Sequence, residues 1–79
     1  FQHHIDVRRS PDRRDSSHGW IGVFSTSELP RHIVLSPSHL GFSVLPPLRE
    51  LWSGYEVAPT VDGNAEFYLP PYDVAFLRY

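Results

Sequence analysis

The sequence predicts a small all-β domain, folded as an antiparallel, Greek-key-like β-sandwich of about six to eight short strands. Short apolar runs with a period of two are separated by turn residues about every eight to twelve positions, and helical periodicity is nearly absent. A chain of 79 residues holds one domain at most. We therefore expect a single domain over residues 1–79.

Three strands are predicted in the first half of the sequence. Residues 3–8 alternate apolar and polar side chains, as in a strand with one face in water. Residues 19–24 are apolar in both phases, which predicts a central strand covered on both faces. Arg31–Leu35 is predicted to be a third strand, antiparallel to the second, with Ile33 and Leu35 buried.

The middle of the sequence predicts a short crossover and then a fourth strand. Ser36 is a favourable N-cap, Pro37 suits the first helical position and Gly41 closes the segment, so we expect one helical turn there. The segment 48–52 is short and lies directly before Ser-Gly at 53–54, which indicates a strand that ends in a turn. A one-turn helix is the alternative for this segment.

The last part of the sequence predicts a hairpin and a final strand. Asp-Gly at 62–63 separates two alternating runs, residues 55–57 and 65–69, and this is a strong hairpin signal. Pro59 cannot donate to a ladder, so the first arm is expected to lie at a sheet edge or to be irregular near that point. Residues 73–79 carry a block of apolar side chains, which predicts a strand inside the sheet.

Charge and hydropathy exclude several functions. The formal net charge of -2 provides no general attraction for nucleic acid or an anionic membrane. No run approaches the roughly 20 apolar residues that span a bilayer, so a soluble chain is expected. The absence of cysteine is compatible with the cytoplasm, the periplasm or secretion. The chain begins at Phe1 and contains no methionine, which predicts that it is a fragment of a longer polypeptide.

Three candidate chemical sites have simpler structural explanations. His3, His4 and Asp6 put only two metal ligands on one strand face, so no metal and no cofactor are expected. The arginines between positions 8 and 14 are interleaved with aspartates, which predicts a solvated, salt-bridged loop rather than a phosphate site. Serine, histidine and aspartate are present without a Gly-x-Ser-x-Gly elbow, so no catalytic triad is predicted.

Five short motifs follow one another along the chain. They are GWIGVF at 19–24, PR at 30–31 with Ile33 and LS at 35–36, LG at 40–41, LWSG at 51–54, and LPP at 69–71 with Val74 and LR at 77–78. In this order and spacing they resemble the C-terminal antiparallel β-domain of α-galactosidase-type (melibiase-like) glycoside hydrolases, over residues 5–79. Glu50 and Ser25 depart from that pattern, which often has Asp and Asn at these positions.

The resemblance implies a parent enzyme of carbohydrate metabolism whose (β/α)8 barrel carries two catalytic aspartates, with this domain packed behind the barrel. The expected function is a non-catalytic accessory domain that stabilises the barrel, and the alternative is a carbohydrate-binding module. No catalytic residue is predicted in the fragment, because a retaining glycosidase needs two carboxyl groups about 5 Å apart around an enclosed pocket. The expected partners are the barrel and, in the alternative, a carbohydrate, whose identity and linkage remain open.

The aromatic residues divide into two predicted groups. Four lie within apolar alternation and are predicted to form the structural core: Trp20, Phe24, Phe67 and Phe76. Four lie near turns or in the opposite phase and are candidates for docking to the barrel or for stacking on sugar: Trp52, Tyr55, Tyr68 and Tyr72. Docking is preferred for this second group, together with Pro70 and Pro71, because the proline-rich segment suggests a rigid corner.

Overall fold

The computed structural model describes residues 3–79 and contains seven strands and one helical turn. The elements are β1 (Ile5–Pro11), β2 (Gly19–Ser25), β3 (Arg31–Leu35), α1 (Pro37–Leu40), β4 (Leu48–Glu50), β5 (Glu56–Val57), β6 (Ala65–Leu69) and β7 (Val74–Arg78). All strand pairs are antiparallel, which confirms the predicted all-β class. Within residues 3–79, no helix is long and apolar enough to cross a membrane.

The strands form two sheets. One has five strands in the order β1-β2-β7-β4-β5, and the other pairs β3 with β6. The predicted central positions of β2 and β7 are confirmed, whereas the predicted pairing of β3 with β2 is wrong. The Ser25 and Ser27 hydroxyls accept hydrogen bonds from the backbone N–H groups two residues ahead. These two turns occupy the loop through which the chain reaches the second sheet before β3 begins.

The core lies between the inner faces of the two sheets and is mainly aliphatic. Ile21 and Val23 of β2 and Leu77 of β7 pack with Ile33 and Leu35 of β3, and all five are almost fully buried. The predicted burial of Ile33 and Leu35 is therefore confirmed. Each such side chain stabilises the fold by about 1.5–3 kcal/mol relative to exposure. Burial of this kind is the main stabilising contribution in a chain without cysteine.

Three of the four aromatic residues predicted as core lie elsewhere. Alternation along β2 turns Ile21 and Val23 inward, so Trp20 and Phe24 point to the outer face of the sheet. Phe76 lies on the same outer face, opposite Gly22. Trp20 and Phe76 are half-buried and outside the core cluster, and Phe24 is 37% exposed. The prediction that β2 is covered on both faces is thus wrong for the described chain, although its outer face is apolar.

The fourth residue, Phe67, does pack against the core cluster from β6. It is partly buried, because the alternation of β6 turns Ala65, Phe67 and Leu69 to one face and Glu66 to the other. This core assignment is the one of the four that agrees with the structure.

The predicted hairpin around Asp62 is wrong, although the turn itself is present. The Gly63 N–H donates to the Thr60 carbonyl at 2.9 Å, and Gly63 has a φ of 79°. However, Val57 in β5 pairs with Leu48 in β4 and not with β6. Because β5 ends at Val57 and Pro59 cannot extend its ladder, the turn connects the two sheets instead. The predicted edge position of β5 is confirmed.

The short crossover after β3 is confirmed. The Ser36 side chain caps α1 by accepting from the His39 N–H, Pro37 opens the turn, and Gly41 closes it with a φ of 81°. The first strand differs from the prediction in both of its ends. It begins two residues later than predicted and continues through Pro11, which pairs with Gly19. Pro11 is tolerated there because β1 is an edge strand.

Candidate functional site

The outer face of the five-stranded sheet carries an aromatic cluster. We call Trp20, Phe24, Leu51, Trp52 and Phe76 the aromatic face. The ring centroids of Phe24 and Phe76 are 5.8 Å apart in an edge-to-face arrangement, and those of Trp52 and Phe76 are 5.4 Å apart. A depression of about 310 Å³ between Trp20, Leu51 and Phe76 completes this face. The rings therefore form one connected apolar surface on the outside of the domain.

A second feature is a groove of about 830 Å³. It lies between β6 on one side and the segment after β4 together with β7 on the other. Trp52, Tyr55 and Tyr68 line it, and they are 64%, 69% and 75% exposed. Tyr72 is equally exposed but lies outside the lining, in the turn between β6 and β7. The structure thus brings three of the four predicted surface aromatics to one groove.

Tyr68 is held in place by its neighbours on the outer face of the small sheet. His32 of β3 lies directly opposite Tyr68, and the two rings are stacked with centroids 5.0 Å apart and planes 26° apart. The Nε2 atom of His32 lies 3.1 Å from Oε1 of Glu66, which is two residues before Tyr68 on the same face. The Tyr68 ring is therefore supported on one side while the rest of it remains exposed.

Glu50 organises the turn that carries Trp52. The backbone N–H groups of Trp52 and Ser53 donate to Oε1 of Glu50 at 3.0 and 2.9 Å. Its other oxygen, Oε2, is buried and accepts no hydrogen bond from the described residues. Burial opposes ionisation of this carboxyl, but the hydrogen bonds from Ser53 and Trp52 outweigh it and hold the Glu50 pKa below its ordinary value.

We expect Glu50→Gln to flatten the acid dependence of stability. The folded-state pKa of Glu50 is depressed, so its contribution is present above the unfolded pKa of about 4.3 and is lost as the pH falls through the lower folded value. At pH 7 the variant should be about 1 kcal/mol less stable, since a neutral amide accepts more weakly than a carboxylate. Urea titrations of both proteins from pH 7 to pH 3 should show the difference narrowing below about pH 5. A constant difference would contradict this role.

The polar residues near β1 serve the local structure. Asp6 pairs with Arg8 at 2.9 Å on the exposed face of β1. Asp12 and Asp15 accept backbone N–H groups of their own loop, and the bonds from Ser17 lower the Asp15 pKa. Among residues 3–79, no group of three or more metal-ligating side chains is found.

The fold is that of a β-sandwich domain, and the comparisons with known proteins agree with this class. No family model and no curated protein matches the sequence. A solved structure of a putative alpha-galactosidase from Bacteroides fragilis NCTC 9343 matches 99% of this chain with a TM-score of 0.76 and 13% identity. AmyP in complex with maltotriose matches 94% with a TM-score of 0.69 and 20% identity. The chain spans 16% and 13% of those two chains.

The aromatic face was missed by sequence reasoning, which assigned three of its members to the core. The available signal was that residues 20–24 are apolar in both phases of the strand. This pattern predicts two apolar faces, but it does not say whether the second face is covered within the same domain. Leu51 gives no separate signal, because the sequence predicts it within the fourth strand, over residues 48–52.

Proposed function

We propose that this chain is a non-catalytic accessory domain that packs against the (β/α)8 catalytic barrel of a glycoside hydrolase and stabilises it. The aromatic face carries this proposal, because a monomer seldom exposes a connected apolar surface of this kind unless something binds there. The fold spans only 13% and 16% of the two glycoside hydrolase chains that it matches. This supports the role of a small domain packed beside a much larger catalytic part.

An α-galactosidase-type parent is supported by the sequence motifs, and the fold, which AmyP shares as well, is compatible with it. The five sequence motifs resemble the C-terminal β-domain of that family, and the putative alpha-galactosidase matches almost the whole chain in fold. The domain then stabilises the parent enzyme by burying apolar surface against the barrel, and the barrel carries out the reaction on the substrate. An interface of this type buries several hundred Å² on each side.

The alternative role, carbohydrate binding through exposed aromatics, rests on the groove, which shares only Trp52 with the aromatic face. Trp52, Tyr55 and Tyr68 line the groove, whereas most of the aromatic face lies on the outer side of the larger sheet. The two roles therefore do not exclude each other.

Docking predicts that Phe24→Asp destabilises the full-length polypeptide. A charge placed on the buried face of an interface costs several kcal/mol unless it is paired. We expect a lower Tm and faster proteolysis at the domain junction, with a nearly unchanged KM for substrate, because the aromatic face does not contact substrate. Thermal melting and steady-state kinetics of the full-length polypeptide measure both quantities.

Val61→Asp is the matched control, because it places the same charge at an exposed apolar side chain outside the aromatic face. It should leave the Tm nearly unchanged. Equal Tm values for the two variants, or a raised KM with an unchanged Tm for Phe24→Asp, would count against docking through this face.

A further inference from the structure

We propose that the groove beside β6 binds a neutral saccharide, with Tyr68 as its main stacking platform. This inference rests on the carbohydrate-binding alternative given above and deepens it, because it names the class of ligand and the stacking residue of the groove. It rests on the juxtaposition of Tyr68 with Tyr55 and Trp52 across the groove and on the charges of the lining.

The first argument is that the Tyr68 ring is restrained by its neighbours. His32 covers one side of the ring at 5.0 Å, and Glu66 holds His32 through the 3.1 Å contact. A ligand that stacks on the exposed side therefore loses less freedom on binding than it would with a mobile ring. Trp52 is restrained in a similar way, because its ring packs against Phe76 at 5.4 Å.

The second argument is the chemistry of the lining. The groove combines aromatic rings with the exposed carboxylates of Glu66 and Asp73 and the exposed side chains of Ser53 and Tyr55. A pyranose ring presents apolar C–H groups on its faces and hydroxyl groups around its edge. Aromatic rings match the faces, and carboxylates and hydroxyl groups accept hydrogen bonds from the edge.

The third argument is charge. Three carboxylates and no arginine occur among the described residues that line the groove, and the chain contains no lysine. This charge disfavours phosphate, sulfate and acidic sugars, because nothing in the lining compensates an anion. The groove volume of about 830 Å³ lies within the usual range of ligand sites, about 300–1,000 Å³. A short neutral oligosaccharide satisfies all three conditions.

The test is a titration of isotope-labelled protein with maltotriose and with raffinose, followed by backbone amide chemical shifts. We expect saturable shifts at Tyr55, Glu66 and Tyr68 with at least one sugar. Tyr68→Leu should weaken this binding by about tenfold, the loss expected for one aromatic stacking contact. Tyr68→Phe should retain most of the sugar affinity, because it keeps the ring. His32→Ala should lower the sugar affinity, because it removes the support of the Tyr68 ring without removing the ring.

Tyr72→Leu is the matched control, since Tyr72 is similarly exposed but lies outside the groove. It should bind as the unchanged protein does, and the dispersed amide spectrum of each variant reports that it is folded. The inference is overturned if neither sugar produces saturable shifts, if Tyr72→Leu and Tyr68→Leu lose affinity equally, or if a lysine-rich peptide binds the groove more tightly than either sugar. Failure of sugar binding while Phe24→Asp still lowers the Tm would reject the saccharide site and leave docking intact.

Discussion

Leu77→Ala is expected to remove most of the stability of this domain, and Trp20→Ala is expected to cost much less. Leu77 is 1% exposed in the central strand β7, and truncation of such a side chain leaves a cavity that costs about 2–5 kcal/mol. After the entropy cost of folding, the net stability of so small a domain is only about 3–5 kcal/mol. Trp20 lies half-buried on the outer face, near the Arg78 guanidinium at 5.3 Å, so its loss should cost about 1–2 kcal/mol.

Urea unfolding of the two variants measures this difference directly. The cost for Trp20 is the decisive quantity, because the sequence alone predicts Trp20 in the core, where its truncation would cost about 3–5 kcal/mol. A Trp20→Ala variant that is less stable than Leu77→Ala would show that the outer face contributes more to folding than its exposure suggests.

Gly19→Ala is also expected to destabilise the domain strongly. A Cβ atom at this position would lie 2.5 Å from the Ser10 carbonyl oxygen, 2.8 Å from Cα of Pro11 and 2.6 Å from the Tyr79 hydroxyl. Two of these atoms belong to the backbone of the neighbouring strand, so relief requires β1 and β2 to separate. We expect a loss of about 1–3 kcal/mol or more from overpacking, measured as a lower urea midpoint.

The Tyr79 hydroxyl also cannot move freely. Arg9 donates to it from Nε at 2.9 Å and to the Leu40 carbonyl from Nη1 at 2.7 Å, while its guanidinium lies 3.8 Å from the centre of the Phe42 ring. Displacement of Tyr79 would disturb these contacts together. In the Gly19→Ala variant, the strain would therefore extend through Arg9 to the helical turn α1.

Gly22→Ala is the control for this variant, because it makes the same substitution on the same strand. Its Cβ would meet the rings of Phe24 at 2.8 Å and Phe76 at 3.3 Å. Phe24 is partly exposed and can change its rotamer, so the cost should be smaller. Equal losses for Gly19→Ala and Gly22→Ala would contradict the argument from backbone crowding.

The sequence predicts the strands better than it predicts their partners. Residues 31–35 and the turn capped by Ser36 and Gly41 were predicted where the structure has them, because alternation and capping are local properties. The hairpin at Asp62 was wrong, since its turn chemistry was recognised but the pairing of Val57 with Leu48 depends on contacts distant in sequence. Strand order is decided by which apolar faces meet, and the sequence does not encode it locally.

The candidate groove could be predicted only in part. Exposure of Trp52, Tyr55 and Tyr68 was expected from their phase and their nearby turns, and the structure brings these three residues together. The support of Tyr68 by His32 was not predictable, because it requires the register between β3 and β6. Tyr72 does not line the groove, although Pro70 and Asp73 of the same turn do.

The position of β7 has a kinetic consequence. It is the last strand along the chain, yet it lies between β2 and β4 in the five-stranded sheet. Until Val74–Arg78 is in place, β2 has a free inner edge with an apolar side chain at most positions. Such an edge favours pairing with other chains, and pairings so distant in sequence form slowly, typically in milliseconds to seconds. Intermediates that lack β7 should therefore be the species most prone to aggregation during folding.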